Sequence, residues 1–188
     1  MGARVTEIGL GVKLIEFDYF EDYRGYYSES YSKRTFEELG IAVDFVQDNH
    51  SYSIKKGTIR GIHFQNAPYE QAKLIRCTNG IVLDFAVDLR KDSPTYKKWV
   101  SIELSKENRK QVLIPRGFGH AFITLTDDCE VLYKVDNLYY PEADRAIKFD
   151  DPEIGIEWQT DKPIISEKDR HAPSLAESDN NMMIGNWL

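Results

Sequence analysis

The chain has 188 residues, of which 41% are hydrophobic and 12% aromatic, and its formal net charge is −7. This length suits a single globular domain, 1–188, that buries a sizeable core, and the composition excludes a disordered chain. The acidic balance argues against a protein that binds nucleic acid, although it leaves room for a local basic pocket that binds a phosphorylated small molecule.

Short segments with strand-like patterns dominate the chain and predict an all-β fold. Turn signals such as Thr78-Asn79-Gly80 separate these segments. Many strands at such close spacing are typical of a β-sandwich, jelly roll or barrel. In chain order, the predicted strands are 12–17, 25–31, 45–49, 58–65, 73–77, 80–89, 99–104, 111–114, 119–125, 131–135 and 146–149.

Two short helices are predicted. The first covers 35–39, because Thr35 and Glu38 form a capping-box pattern and Gly40 suits the left-handed residue that ends a helix. The second lies in the polar C-terminal stretch that begins at Ser166, and a trailing segment with Trp187 near its end follows it.

The cysteines and the N-terminus bear on location. Cys77 and Cys129 are isolated thiols with neither a disulfide framework nor a metal-binding spacing, which favours a reducing environment. The N-terminus lacks a basic region followed by an apolar stretch, and no apolar run approaches the ~18 residues of a membrane span. We therefore expect a cytoplasmic protein without a membrane partner.

The segment 57–73 carries four polar side chains on or beside an otherwise apolar strand pattern. A histidine that shares a strand face with a glutamine and a glycine suggests a pocket lined for polar chemistry, although a structural core histidine fits the pattern equally well. Strict alternation predicts one face with Ile59, Gly61, His63 and Gln65, and the other with Arg60, Ile62 and Phe64.

Two motifs resemble those of the cupin superfamily, whose small jelly-roll barrels hold an active site inside. Pro115-Arg116-Gly117-Phe118-Gly119-His120 resembles the second cupin motif, and the segment 57–80 resembles the first. A metal-binding cupin would carry His-x-His followed by a glutamate, whereas here Gln65 stands in place of the second histidine. Because metal ligation by imidazole commonly needs two or three converging histidines, we expect no metal.

Further segments narrow the resemblance to one family. They are Arg60-Gly61-Ile62-His63-Phe64-Gln65, Gln71-Ala72-Lys73-Leu74-Ile75-Arg76, Val87-Asp88-Leu89-Arg90, Ser93-Pro94-Thr95, Ile114-Pro115-Arg116-Gly117-Phe118-Gly119-His120, Tyr133-Lys134, Tyr139-Tyr140-Pro141-Glu142 and Ser166-Glu167-Lys168-Asp169-Arg170. In this order, over most of the chain, they resemble the dTDP-4-dehydrorhamnose 3,5-epimerase family. The resemblance implies a cupin-type jelly-roll barrel with a few short helices, one near residue 35 and one at the C-terminus.

The resemblance also implies a substrate, dTDP-4-dehydro-6-deoxy-D-glucose, and a product, dTDP-4-dehydro-L-rhamnose. A ketone acidifies the hydrogens on both neighbouring carbons, so a base can form an enolate, and reprotonation on the opposite face inverts carbons 3 and 5. Such a reaction needs a base, an acid opposite it and a positive group near the ketone oxygen. No redox cofactor or metal is expected.

By family position, His63 is the base and Asp169 orients it through a hydrogen bond. Lys73 supplies the positive charge near the enolate oxygen, and Tyr133 is the acid on the other face. Tyr139 is a second tyrosine near the sugar, and the sequence leaves open which tyrosine donates the proton. Taken singly, the aspartate is compatible with a solvated charge, the lysine with an edge-strand residue and the tyrosines with packing.

The resemblance further implies a nucleotide-binding pocket shared by two subunits. In this family, the strand that carries the counterparts of Arg24 and Glu29 crosses to the partner subunit, which implies a homodimer. Without the family, Arg24 is a turn residue. The implied ligands are Arg24 and Arg60 for the diphosphate, Tyr27, Glu29, Gln47 and Asn49 for the nucleoside, and three further substrate contacts, His120, Tyr139 and Lys168.

Three alternatives stay open at this point. One is an epimerase that inverts a single carbon or acts on another nucleotide 4-keto-deoxy sugar. The others are a metal-dependent cupin enzyme and a non-catalytic cupin that binds sugars. Counting the carbons that exchange hydrogen separates a single-carbon epimerase, and a panel of nucleotide sugars separates an enzyme for another substrate. Metal analysis and the activity of a His63→Ala variant separate the other two alternatives.

Overall fold

A computed structural model of the chain describes residues 2–185. Over that range, short strands alternate with turns, and only two short helices form. The elements are β1 (Ala3–Gly9), β2 (Val12–Phe17), β3 (Phe20–Asp22), β4 (Gly25–Tyr27), α1 (Lys33–Glu38), β5 (Gln47–Ser53), β6 (Ile59–Gln65), β7 (Lys73–Asn79), β8 (Ile81–Asp88), β9 (Trp99–Ser105), β10 (Gln111–Ile114), β11 (Phe118–Thr124), β12 (Cys129–Val135), β13 (Asp144–Ala146) and α2 (Glu167–Arg170).

The strands form two large antiparallel sheets and one separate hairpin. The six-stranded sheet has the order β1-β2-β10-β7-β12-β5, and the five-stranded sheet has the order β13-β6-β11-β8-β9. β3 and β4 pair only with each other among the described residues. This arrangement confirms the predicted all-β jelly-roll fold, with two facing sheets that do not close into one continuous hydrogen-bonded barrel.

An apolar core fills part of the space between the sheets. It combines Ile75 and Val112 of the six-stranded sheet with Val82 and Phe118 of the five-stranded sheet. The residues that alternate with them on β8 and β11, such as Phe85, pack on the outer face of the five-stranded sheet. The remaining inward-facing positions are polar, and they form the site described below.

The segment that follows β13 covers the outer face of the five-stranded sheet, and α1 covers that of the six-stranded sheet. Trp158 and Met182 join the core outside the five-stranded sheet, where Trp158 packs edge-on against Phe85. On the six-stranded sheet, Phe36 of α1 packs in a cluster with Ile15 and Leu74. Both sheets therefore present one face to apolar neighbours and the other to the space between them.

The first helix begins earlier than predicted. Its N-cap is Ser32, whose hydroxyl accepts a hydrogen bond from the Thr35 N–H at 3.4 Å, so the proposed capping box of Thr35 and Glu38 is wrong. A serine three residues ahead already satisfies that N–H. Gly40 does adopt a left-handed conformation, with φ of 73°, just after the helix. The predicted C-terminal helix is α2, and Trp187 lies outside the described residues.

Some strand boundaries also differ from the prediction. β1 and β3 were missed, because none of their residues is fully buried and their apolar pattern is weak. The second predicted strand, 25–31, ends at Tyr27, since the chain leaves the hairpin there. The last strand lies at Asp144–Ala146 rather than 146–149.

Candidate active site

The strand that carries His63 does not alternate as predicted. Arg60 and His63 line the same cavity, although strict alternation would place residues three apart on opposite faces. Ile59 and Ile62 instead share the core on the other side of the sheet. The predicted faces were therefore wrong for Arg60 and Ile59.

A bulge in β6 explains the change of face. His63 and Arg60 pair with residues only two apart on β11, so Gly61 and Ile62 stand opposite Ala121 alone. Gly61 has a φ of 132°, and a Cβ atom at this position would lie 2.3 Å from the Cβ of Ala121. Only glycine fits this position. The bulge brings the guanidinium and the imidazole into one cavity.

The cavity has a volume of about 330 Å³ and lies between the two sheets. Both sheets contribute side chains, because inward-facing positions alternate along each strand. Eight of the predicted site residues line it: Gln47, Asn49, Arg60, His63, Lys73, His120, Tyr133 and Tyr139.

His63 lies beside a buried carboxylate. Its Nε2 is 2.6 Å from Oδ1 of Asp169, which is only 2% exposed and sits in α2 behind the cap residue Ser166. Burial acts to raise the pKa of Asp169, but hydrogen bonds from His63 and from the Gly61 N–H outweigh burial and lower that pKa below its usual value. The aspartate is therefore an ionised partner of His63 rather than a solvated charge.

A second histidine–carboxylate pair lies deeper in the cavity wall. Nε2 of His120 is 2.7 Å from Oδ2 of Asp84, and both side chains are buried. Burial lowers the pKa of His120 and raises the pKa of Asp84, and the attraction between them opposes both shifts. Because His120 pairs with His63 across β6 and β11, the two pairs are neighbours.

The opposite wall carries an amine and a phenol. Lys73 of β7 and Tyr133 of β12 belong to the six-stranded sheet, whereas His63 belongs to the five-stranded sheet. Burial lowers the pKa of Lys73 to about 8, against the opposing influence of Asp144 and Asp84. Burial raises the pKa of Tyr133. At neutral pH the wall therefore presents a cationic amine and a protonated phenol to the imidazole.

Four predicted binding residues lie outside the cavity lining. Arg24 and Tyr27 belong to the exposed β3–β4 hairpin, and Arg24 forms an ion pair with a neighbouring aspartate at 2.6 Å. Glu29 accepts a hydrogen bond from a threonine hydroxyl of α1. Lys168 lies at the rim, where its Nζ donates a hydrogen bond to Asp144 at 2.5 Å.

The sequence reasoning missed two carboxylates. Asp144 lines the cavity and accepts the hydrogen bond from Lys168. Asp84 forms the hydrogen bond with His120. The sequence offered a sign of this role, because Asp84 is the single carboxylate among the apolar residues 81–87 of β8, and a buried carboxylate needs a partner. The sequence around Asp144 gave no such sign, because this residue lies among other polar residues near a turn. It reaches the cavity because β13 pairs with β6, where Asp144 lies opposite Gln65.

Two classes of feature are absent from residues 2–185. No helix in that range is long and apolar enough to cross a membrane. In the same range, no group of three or more histidine, cysteine, aspartate or glutamate side chains is arranged to hold a metal ion.

Comparisons of sequence and structure with known proteins point to the same family. Residues 6–177 match the family model described as dTDP-4-dehydrorhamnose 3,5-epimerase. The relative of that name from Sinorhizobium fredii is 50% identical over 167 residues, which are 88% of this chain and 86% of that protein. The Bacillus anthracis enzyme of the same name, crystallised with TDP and PPi bound, superposes with a TM-score of 0.90 at 46% identity, covering 92% of this chain and 99% of its own.

A second solved structure extends the comparison. The dTDP-6-deoxy-D-glucose-3,5-epimerase of Legionella pneumophila, in complex with dTDP-4-keto-L-rhamnose, superposes with a TM-score of 0.89 at 38% identity. The superposition covers 94% of this chain and 95% of the Legionella chain. The chain belongs to the dTDP-4-dehydrorhamnose 3,5-epimerase family.

Proposed function

We propose that this protein inverts carbons 3 and 5 of dTDP-4-dehydro-6-deoxy-D-glucose and so produces dTDP-4-dehydro-L-rhamnose for dTDP-rhamnose biosynthesis. The observation that carries the proposal is the placement of the His63–Asp169 pair on one wall of the cavity and of Lys73 and Tyr133 on the other. Family membership supports the same activity. An isomerisation through an enolate needs these three elements: a base, a cation and an acid on the opposite side.

We propose one step for each group. With its Nε2–H donated to Asp169, the neutral imidazole of His63 keeps the lone pair of Nδ1 for the substrate proton. The electron pair of the broken C–H bond moves toward the ketone oxygen, where the Lys73 ammonium stabilises the enolate. Tyr133 then delivers a proton to the opposite face of the same carbon. No net oxidation takes place. The imidazolium of His63 then loses its proton to solvent and the phenolate of Tyr133 takes one from solvent, so the same groups can serve the second carbon.

The direct test is hydrogen exchange in deuterium oxide. Incubating the purified protein with dTDP-4-dehydro-6-deoxy-D-glucose should introduce deuterium at carbons 3 and 5, as followed by NMR, together with formation of the L-rhamno product. Exchange at one carbon alone would identify a single-carbon epimerase. No exchange at either carbon would rule out the proposed activity.

The pKa of Lys73 predicts the alkaline limit of activity. Because the amine must be protonated to stabilise the enolate, kcat/KM should fall as the pH rises through about 8, the pKa that burial gives this lysine. The raised pKa of Tyr133 keeps the phenol protonated over this range. The pH dependence of kcat/KM, measured from about pH 6 to pH 10, reports these groups in the free enzyme.

A Lys73→Arg variant provides the check on that assignment. A guanidinium keeps its charge at least to about pH 12, so the alkaline fall should move upward or disappear in whatever activity remains. Lys168→Met, which removes an exposed lysine at the rim, should leave the fall near pH 8. If the alkaline fall of kcat/KM stays near pH 8 in Lys73→Arg, that fall reports the ionisation of another group.

We also propose that the protein is a homodimer in which the β3–β4 hairpin of each subunit completes the pocket of the other. The hairpin exposes four large aromatic side chains, and exposed aromatic clusters of this kind mark interaction surfaces. Arg24 and Tyr27 lie on it, outside the cavity of their own subunit. The exposed fractions are 56% for Phe20, 96% for Tyr23, 54% for Tyr26 and 64% for Tyr27.

Subunit mixing tests this arrangement. His63→Ala and Arg24→Ala proteins should each be nearly inactive, yet a mixture allowed to exchange subunits should recover about a quarter of the wild-type activity. Recovery is expected because a hybrid dimer has one pocket with both residues intact and one pocket lacking both. If Arg24 acts within its own subunit, every pocket in the mixture is defective and no activity returns.

We propose a cytoplasmic location for this enzyme. Cys77 and Cys129 are buried free thiols within strands, as is usual for proteins kept in a reducing compartment. The nucleotide-sugar substrate proposed above is consistent with that compartment.

A further inference from the structure

The segment between β12 and β13 is held by side chains rather than by a sheet. Residues 138–140 have no helix or strand conformation. Nε2 of Gln65 donates to the carbonyl oxygen of Leu138 at 3.1 Å, and Oε1 of Gln65 accepts from the N–H of Tyr140 at 2.8 Å. One glutamine therefore holds the backbone on both sides of Tyr139.

The hydrogen-bonding capacity of Gln65 is committed to the protein. Its second amide hydrogen goes to the carbonyl oxygen of Tyr69 at 2.6 Å, so both N–H groups have backbone partners. The residue is 4% exposed although it borders the cavity. Gln65 thus has no N–H left to donate to a ligand, and two of its three hydrogen bonds fix the segment around Tyr139.

Two further glutamines bind the same segment. Gln71 donates from Nε2 to the carbonyl oxygens of Asn137 at 2.8 Å and Leu138 at 3.3 Å. Oε1 of Gln47 accepts from the N–H of Tyr139 at 3.2 Å. Because regular structure does not satisfy these backbone groups, the side chains set the conformation of the segment.

Tyr139 is the residue that this clamp presents to the cavity. Its side chain lines the cavity, yet the residue is 54% exposed, so packing alone does not fix the ring. We infer that Gln65 is a positioning residue, which holds Tyr139 against the bound nucleotide sugar by fixing the backbone of residues 138–140. The inference rests on the proposed function for the identity of the ligand. It gives a role to the glutamine that stands where a metal-binding cupin has a histidine.

The test is a double-mutant cycle measured by steady-state kinetics on dTDP-4-dehydro-6-deoxy-D-glucose. Gln65→Met keeps the length of the side chain but loses all three hydrogen bonds, and it should raise KM about tenfold while kcat stays within about twofold. Tyr139→Ala should have a similar effect. The double variant should be no worse than Tyr139→Ala alone, since Gln65 acts only through Tyr139.

A matched control removes equivalent bonds elsewhere. Asn180 is 2% exposed, donates to the carbonyl oxygen of Leu89 and accepts from the N–H of Met182, so Asn180→Leu also frees a buried loop backbone. It should lower the melting temperature without changing KM. If Gln65→Met does not fold, Gln65→Glu supports the same cycle, because its carboxylate still accepts from the backbone N–H.

The outcomes separate this inference from the proposed function. Losses of Gln65→Met and Tyr139→Ala that multiply in the double variant would overturn the positioning role and leave a general structural one. An unchanged KM in Gln65→Met would overturn it as well. Wild-type protein that shows neither exchange nor product would instead refute the proposed activity.

Discussion

Replacing His63 with alanine is expected to lower product formation and deuterium exchange together by about a hundred- to ten-thousandfold, the usual cost of losing a general base. The cavity contains a second histidine, but Nε2 of His120 is held by Asp84 in the buried wall. Rates of exchange at carbons 3 and 5, followed by NMR, give the measurement. The variant should remain folded, because the His63 side chain is one-third exposed rather than fully buried.

His50 offers a matched control for that experiment. It also pairs with a carboxylate, Glu130 at 3.2 Å, but on an exposed surface outside the cavity. His50→Ala should therefore keep wild-type exchange. Asp169→Asn should lose less activity than His63→Ala, because the amide can still contact and orient the imidazole. It should still lose activity, because the negative charge that stabilises the imidazolium formed during the reaction is gone. A His63→Ala protein with most of its turnover would transfer the role of base to another group.

The family resemblance named candidate groups on three different strands, and His63, Lys73 and Tyr133 all line one cavity. Lys73 and Tyr133 could be placed by motif order alone, and the structure brings them to the same cavity as His63. The face of Arg60 could not be predicted, since a period of two assumes a regular register. The bulge at Gly61 depends on Ala121 of the neighbouring strand, which no local pattern within β6 contains.

Contacts between distant segments set the other limits of prediction. The 2.6 Å contact of His63 with Asp169 joins residues 106 positions apart and depends on where α2 docks against β6. Two of the three backbone partners of Gln65 likewise belong to a loop more than 70 positions away. Hairpin residues such as Arg24 and Tyr27 lie outside the cavity of their own chain, so the role proposed for them requires the proposed second subunit, which a single chain does not include.

Replacing Tyr133 with phenylalanine is expected to separate exchange from inversion. Without the phenol, the opposite face loses its proton donor, so product formation should fall by about a hundred- to ten-thousandfold, or about 3 to 5 kcal/mol in activation free energy. His63 and Lys73 remain in place, so His63 can still remove a proton and return a deuteron to the same face. Deuterium should therefore enter carbons 3 and 5 of unconverted substrate.

Tyr139→Phe is the comparison that assigns the donor. Tyr133 is half-buried on β12, on the wall opposite His63, whereas the hydroxyl of Tyr139 lies at the exposed rim, 3.4 Å from Asp144. Phenylalanine at the rim keeps the aromatic ring that lines the cavity, so exchange and inversion should stay coupled. Exchange without inversion in Tyr139→Phe, together with normal turnover in Tyr133→Phe, would reverse the assignment. Because the acid must face the base across the sugar, the tyrosine on the six-stranded sheet is the one that the geometry favours.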